Sequence, residues 1–88
     1  MKAEFRRSFT RDLEKLNDRS IRERVSEVID AVKAANNLDE VTGVKKLQAS
    51  ANLFRIRVGE FRIGIRAIGE DVVFVRCLHR KDIYRHFP

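Results

Sequence analysis

A single cysteine, Cys77, occurs in these 88 residues. One thiol cannot build a disulfide framework, so the chain reads as a protein of a reducing compartment, with Cys77 as a small core hydrophobe. Long apolar runs are missing too. The longest is Val72 to Val75, far short of the roughly 20 residues that cross a bilayer. The opening MKAEFRRS lacks the apolar stretch of a secretion signal, so a cytoplasmic protein with no membrane partner is expected. No His or Cys residues stand at metal-ligand spacing, no carboxylates pair at a site, and no glycine-rich loop could cradle a phosphate. Metal ions, nucleoside triphosphates and small-molecule cofactors therefore have no support. Repeats, low-complexity tracts and linkers are absent as well, which leaves one domain over residues 1–88, near the small end for independent stability.

Acids are also in short supply. Nineteen Lys and Arg face 13 Asp and Glu, for a net charge of +6 and a pI near 10.1, a balance that belongs to proteins meeting polyanions. The excess is concentrated in LFRIRVGEFRIGIR, Leu53 to Arg66, where four arginines alternate with apolar residues and Glu60 is the one acid. Phe54, Ile56 and Val58 share one face of a strand and Arg55 and Arg57 the other. Phe61, Ile63 and Ile65 then alternate with Arg62, Gly64 and Arg66. Gly59 and Glu60 between the runs suit a two-residue hairpin turn with glycine in its first central position. That turn pairs Val58 with Phe61, Arg57 with Arg62, Ile56 with Ile63 and Arg55 with Gly64. Directly opposed like charges destabilise by about 0.2–1 kcal/mol, so an anion is expected over this face.

The remaining chain supplies the layers. Residues 2 to 7 read as an opening strand, with Ala3 and Phe5 on one face. Phe9, Leu13 and Leu16 recur at helical spacing from Ser8, while Arg11, Asp12, Glu14 and Lys15 fill the other, solvated side of a short helix. Ser20 and Glu23 stand at capping-box spacing before the stripe Ile21, Val25, Val28, Ile29 and Val32, which predicts a longer second helix ending near Asn36. NNLDEVTGV has turn composition, and Val44 to Gln48 suits a strand or an irregular edge. In the last hairpin a two-residue loop sets Arg76 opposite Ile63 on the apolar face, and a three-residue loop sets it opposite Gly64 among the arginines. Burying an unpaired guanidinium costs several kcal/mol, so three loop residues are expected, with Val73, Val75 and Cys77 facing the core. Arg55, Arg57, Arg62, Arg66 and Arg76 then line one side of an antiparallel meander whose other side two helices cover. The tail LHRKDIYRHFP brings His79, Arg80 and Tyr84 to the rim, with one or two helical turns between Lys81 and His86.

Taken together, FRIRVGEFRIGIR, DVVFVRCLH and HRKDIYRHF resemble the RelE/ParE superfamily of toxin–antitoxin toxins, specifically its RelE-like mRNA interferases. The resemblance spans nearly the whole chain. It implies an α+β fold of the RelE-like microbial ribonuclease type: an opening strand, a two-helix hairpin, a three- to four-stranded antiparallel sheet and a short C-terminal helix. It also implies a type II toxin that inhibits translation by cleaving mRNA on the ribosome without a metal, and that a cognate antitoxin silences. By position, the basic residues of the family's first hairpin strand fall on Arg55 and Arg57, its phosphate-binding arginine on Arg62, its C-terminal arginine on Arg80 and its tyrosine on Tyr84. RelE itself carries lysines at the positions of Arg55 and Arg57 and a longer basic segment before the tyrosine.

The chemistry such an enzyme needs is cations around a pentacovalent phosphate, a group to take the 2′-OH proton and a donor for the leaving 5′-oxygen. Arg62, with Arg57 beside it, is the expected phosphate ligand, because a planar guanidinium grips phosphate oxygens in pairs. Arg55, Arg66 and Arg76 extend the RNA-binding face. Arginine is permanently charged and cannot act as base. That role falls first to His79, because an imidazole is the side chain suited to exchanging protons near neutrality, and otherwise to Tyr84, which is read in preference as positioning the substrate by stacking on a base. Each residue also has a plainer reading: a solvated arginine at Arg66, a capping histidine at His79, a core-edge aromatic at Tyr84. Two rival functions remain on the sequence, a ParE-like toxin that poisons gyrase and a non-catalytic RNA- or ribosome-binding module.

Overall fold

The computed structural model describes residues 1–47 and 52–88. Strand β1 (Lys2–Phe5) leads into helices α1 (Arg7–Lys15) and α2 (Arg19–Ala34), and a 3-10 turn (Leu38–Glu40) leads to β2 (Val44–Lys46). Strands β3 (Leu53–Val58), β4 (Phe61–Ile68) and β5 (Asp71–His79) follow, and α3 (Ile83–His86) closes the chain. Gln48, the last residue of the expected β2 segment, lies outside the described residues.

All five strands form one sheet in the order β1-β5-β4-β3-β2. The α+β class stands as expected, but the sheet is larger than three or four antiparallel strands because β1 joins it, parallel to β5. Alternation in a sequence identifies a strand and its inward face but names no neighbour.

The helices cover one face through the stripes read from spacing. Phe9 of α1 and Ile21, Val25 and Val32 of α2 are buried against Ile56, Val58, Ile63, Ile65 and Phe74. Each fully buried side chain of this kind stabilises by about 1.5–3 kcal/mol. The start of α2 differs from expectation. Asp18, not a Ser20–Glu23 box, caps it, its carboxylate accepting the Ile21 N–H at 3.1 Å. A carboxylate two positions before Ser20 starts the helix sooner and meets the free amides of its first turn.

Hairpin β3–β4 has the derived register: Val58 with Phe61, Arg57 with Arg62, Ile56 with Ile63, Arg55 with Gly64. Gly59 has φ +58°, which a side chain would resist. Hairpin β4–β5 is a correction. Ile68 pairs with Asp71, so its loop has two residues, and Gly69 takes φ +60°. Arg76 nevertheless lands opposite Gly64, because a bulge beside Gly64 and Ile65 leaves Val75 without a partner on β4. Val72, Phe74 and Cys77 therefore face the helices, while Val75 is turned to the other side.

That other side carries a second, smaller cluster. Leu53, Ile83 and Phe87 are buried there, with Leu47, Val75 and Leu78 packed against them. It occupies the part of the arginine-bearing face beneath α3.

Candidate active site

Alternation along β3 and β4 puts Arg55, Arg57, Arg62 and Arg66 on the face away from α1 and α2. Arg62 is the half-buried centre of this set. Its Nη1 donates to the carbonyl oxygens of Gly59 and Phe61, both at 2.8 Å. One end of the guanidinium is thus held by the β3–β4 turn, and its orientation is set before any ligand arrives. Burial first, then the cations Arg55 and Arg57 and, more weakly, Arg80, hold Arg62 below the usual guanidinium range, while Tyr84 pulls the other way. Even so, arginine keeps its charge at any working pH. Like charges gathered in this way repel one another, and an anion placed among them would lower that cost.

Arg80 is tied to the same turn. Its backbone N–H donates to the Glu60 carbonyl at 2.7 Å, and its Nε meets Glu60 Oε2 at 2.7 Å with both side chains more than half exposed. An exposed pair of this kind contributes about 0–1 kcal/mol. Its consequence is placement rather than stability. Tyr84 stands on α3 at 60% exposure and, with Lys45, Lys46, Leu47, Arg55 and Pro88, lines a groove of 350 Å³. Arg66 is exposed further along the same face of β4.

Of the residues expected at this site, one is engaged by a carboxylate and one lies on the other side of the sheet. Arg76 is engaged by Asp12 of α1, Nε at 2.8 Å and Nη2 at 3.0 Å, and this hydrogen-bonded carboxylate raises its pKa. Only an unpaired guanidinium would be driven out among the arginines, and this one is paired. Its partner lies 64 positions back in the chain, on the face of α1 that is buried. Arg76 is therefore not available to a ligand in the way Arg55 or Arg57 is.

His79 pairs with Phe61, whose ring packs against the helix-side core. The two rings meet edge to face at 5.6 Å, and His79 Nδ1 accepts the Lys81 N–H at 3.1 Å. It borders a 490 Å³ cleft formed with the end of α1 and the α1–α2 connection. The arrangement brings Arg55, Arg57, Arg62, Arg80 and Tyr84 together and leaves His79 on the opposite side of the sheet. Cys77 is buried, and burial together with the Asp12 charge pushes its thiol up to about 12, which makes it a packing residue rather than a nucleophile. Among the described residues, no group of three or more His, Cys, Asp or Glu is disposed to hold a metal ion.

The family model for the ParE toxin of type II toxin–antitoxin systems (parDE) matches residues 3–84. The chain belongs to this toxin family. It is 39% identical over 89 residues to Toxin RelE3 of Methanocaldococcus jannaschii, across the full length of both chains. A RelB–RelE antitoxin–toxin complex from Methanococcus jannaschii contains a chain that superposes with TM-score 0.83 at 38% identity, covering 97% of this chain and 99% of that one. The YoeB dimer of Staphylococcus aureus shares the fold at TM-score 0.73 and 14% identity, over 91% and 97% of the two chains.

Two contributors to the toxin's arginine face escaped sequence reading. Glu60 reads as the lone acid of a basic stretch and as a turn residue, yet it also positions Arg80. Lys45 reads as surface charge, yet β2 pairs with β3 so that Lys45 sits opposite Arg55, on the same face and in the Tyr84 groove. Extending the meander backwards from Ile56 to Val44, apolar against apolar, was the available signal.

Proposed function

We propose that this toxin is a ribosome-dependent, metal-independent endoribonuclease that arrests translation by cleaving mRNA through attack of a 2′-OH on the adjacent phosphate. The observation that carries the reading is the set Arg55, Arg57 and Arg80 gathered about Arg62, whose pKa is lowered first by burial and then by these cations, on the face where Tyr84 is exposed. Arg62, held by the turn at one nitrogen, offers the rest of its fork to the scissile phosphate and stabilises the charge that grows there. Arg55, Arg57 and Lys45 take the neighbouring phosphates, with Arg66 at the margin. Arg80, steadied by Glu60, meets the leaving side. Tyr84 stacks its ring on an unpaired base, and its hydroxyl exchanges the proton that the arginines cannot. His79, across the sheet, takes no part in proton transfer.

A cognate antitoxin is the expected protein partner in the cytoplasm, in line with the RelB-bound state of the similar archaeal toxin and with the toxin's own surplus of positive charge. No helix among the described residues is long and apolar enough to cross a membrane.

The test is primer extension on translated messages after induction of the toxin, with Arg62→Ala as comparison. The wild type cuts messages at the ribosome. Arg62→Ala lowers cleavage by about a hundred- to thousandfold, the effect of removing about 3–4 kcal/mol of transition-state stabilisation, without unfolding the domain. Growth arrest with uncut messages and altered DNA supercoiling overturns the reading in favour of gyrase poisoning. Arrest by an Arg62→Ala protein that still binds ribosomes favours the non-catalytic module.

A further inference from the structure

Helix α3, which presents Tyr84, has only four residues. A segment that short has no helical stability of its own in water, and Asp82, at the N-cap position before it, makes no side-chain cap. The position of Tyr84 must therefore come from tertiary contacts. Two are available, at the spacing of one helical turn: Ile83 and Phe87, 0% and 2% exposed, with the Phe87 N–H donating to the Ile83 carbonyl at 2.8 Å. Both are buried in the small cluster on the arginine-bearing side of the sheet, apart from the main core.

Phe87 lies directly on Gly64. A Cβ added there would stand 2.6 Å from Phe87 Cγ and Cδ2 and 2.9 Å from Cδ1, separations that side-chain carbons do not tolerate. The glycine is required by contact alone, since Gly64 is not among the positive-φ glycines. Its neighbours along β4 on that face are Arg62 and Arg66, and its partner across the sheet is Arg55. The bare backbone at residue 64 is thus a slot in the middle of the arginine face, and the ring that fills it belongs to the helix that carries Tyr84.

We propose that Gly64 and Phe87 form a slot-and-ring lock that positions Tyr84 over the arginine face, which makes both of them positioning residues for the reaction. The lock engages a satellite cluster, so releasing it frees α3 while the main core keeps the sheet folded. The functional half of the inference rests on the nuclease reading; the structural half does not.

Tyr84 is the single tyrosine and tryptophan is absent, so the intrinsic fluorescence of the whole protein reports this one side chain. Time-resolved anisotropy is measured on the wild type, Phe87→Ala, Gly64→Ala and the double variant, with circular dichroism to confirm the fold. Phe87→Leu, which keeps apolar burial without the ring, carries the test if Phe87→Ala does not fold. In the wild type Tyr84 tumbles with the domain. Each single variant adds a fast component of the kind an unrestrained side chain shows and lowers ribosome-dependent cleavage at least about tenfold at saturating message, because a misplacement on the order of 1 Å at a reacting group is already severe. The double variant loses no more than either single, since both remove the same contact. Anisotropy that is unchanged in the folded variants overturns the lock. Mobile Tyr84 with undiminished cleavage overturns its positioning role. A wild type that cuts no message refutes the nuclease reading instead, and the anisotropy still decides whether the lock exists.

Discussion

Among the described residues Asp12 is the one buried charged residue, and its removal tests how the fold is tied together. Its carboxylate receives Arg76 Nε and Nη2 at 2.8 and 3.0 Å and also accepts the Cys77 N–H at 2.9 Å. These three bonds fasten α1 to β5 at the bulge. In Asp12→Ala the Cys77 amide loses its partner inside the protein, which costs about 1–3 kcal/mol. The Arg76 guanidinium is left without its counter-charge, and breaking a buried pair costs about 3–5 kcal/mol when the survivor cannot escape. Here the survivor has a way out, because the Arg76 side chain is 24% exposed and can swing toward water. The sum is therefore cut to about 2–4 kcal/mol. At roughly 4–8 °C per kcal/mol for a domain of this size, the melting temperature falls by roughly 10–30 °C.

The paired replacement Asp12→Leu with Arg76→Met separates two meanings of that loss. Removing both charges leaves no orphan guanidinium, and apolar substitutes for a buried pair are often neutral or stabilising. The double variant should therefore recover most of the lost melting temperature, short of the share due to the Cys77 amide. Thermal melts of the three proteins settle it. Asp12→Ala melting within about 3 °C of the wild type refutes the reasoning, since it means that water already satisfies these groups.

The two faces of the sheet predict opposite outcomes: Ile63→Ala, at a fully buried position, destabilises by about 2–5 kcal/mol, whereas Arg57→Ala changes stability by less than about 0.5 kcal/mol or raises it by relieving the contact with Arg62. A large loss for Arg57→Ala in urea titration would mean that the faces are wrongly assigned. Cys77 keeps its proton in the folded state up to about 12 but loses it near pH 9 when unfolded. Relative to Cys77→Ala, stability should therefore fall at about 1.4 kcal/mol per pH unit from pH 9 upward, and the thiol should ignore disulfide reagents until the protein unfolds. Tyr84→Phe should lower cleavage severely if the hydroxyl moves a proton, while His79→Gln should leave it within a few-fold. The reverse pattern in a primer-extension assay removes Tyr84 from proton transfer and requires a route to His79 across the sheet.

How far the sequence carried the fold varied with the range of the determining contact. The β3–β4 register was legible because a two-residue turn and strict alternation determine it within 14 positions. The β4–β5 loop was not, because its argument turned on whether Arg76 had a partner, and Asp12 was read as part of the solvated side of α1. A bulge leaves no mark on an alternating pattern, so the correct pairing of Arg76 with Gly64 was reached from an incorrect loop. The side on which His79 falls was legible and went undrawn: Arg76 opposite Gly64 already places Cys77 opposite Ile63, Leu78 opposite Arg62 and His79 opposite Phe61, an apolar-face residue. Gly64 is the opposite case. Nothing local distinguishes it from a weak point in a strand, and its reason is a ring 23 positions later.

The two faces explain why a domain this small tolerates opposed arginines at its centre. Repulsion between Arg57 and Arg62 costs about 0.2–1 kcal/mol, and burying Ile56 and Ile63, the adjacent cross-strand pair on the reverse face, contributes about 3–6 kcal/mol together. The same backbone segment thus carries the cost and the gain, and the gain is several times larger. What holds the cations in place is local as well: the Gly59 and Phe61 carbonyls take Arg62, and Glu60 takes Arg80. A polyanion meeting this face would find the charges already oriented and would relieve their repulsion on binding, so the free energy withheld from the fold would return as affinity for that anion.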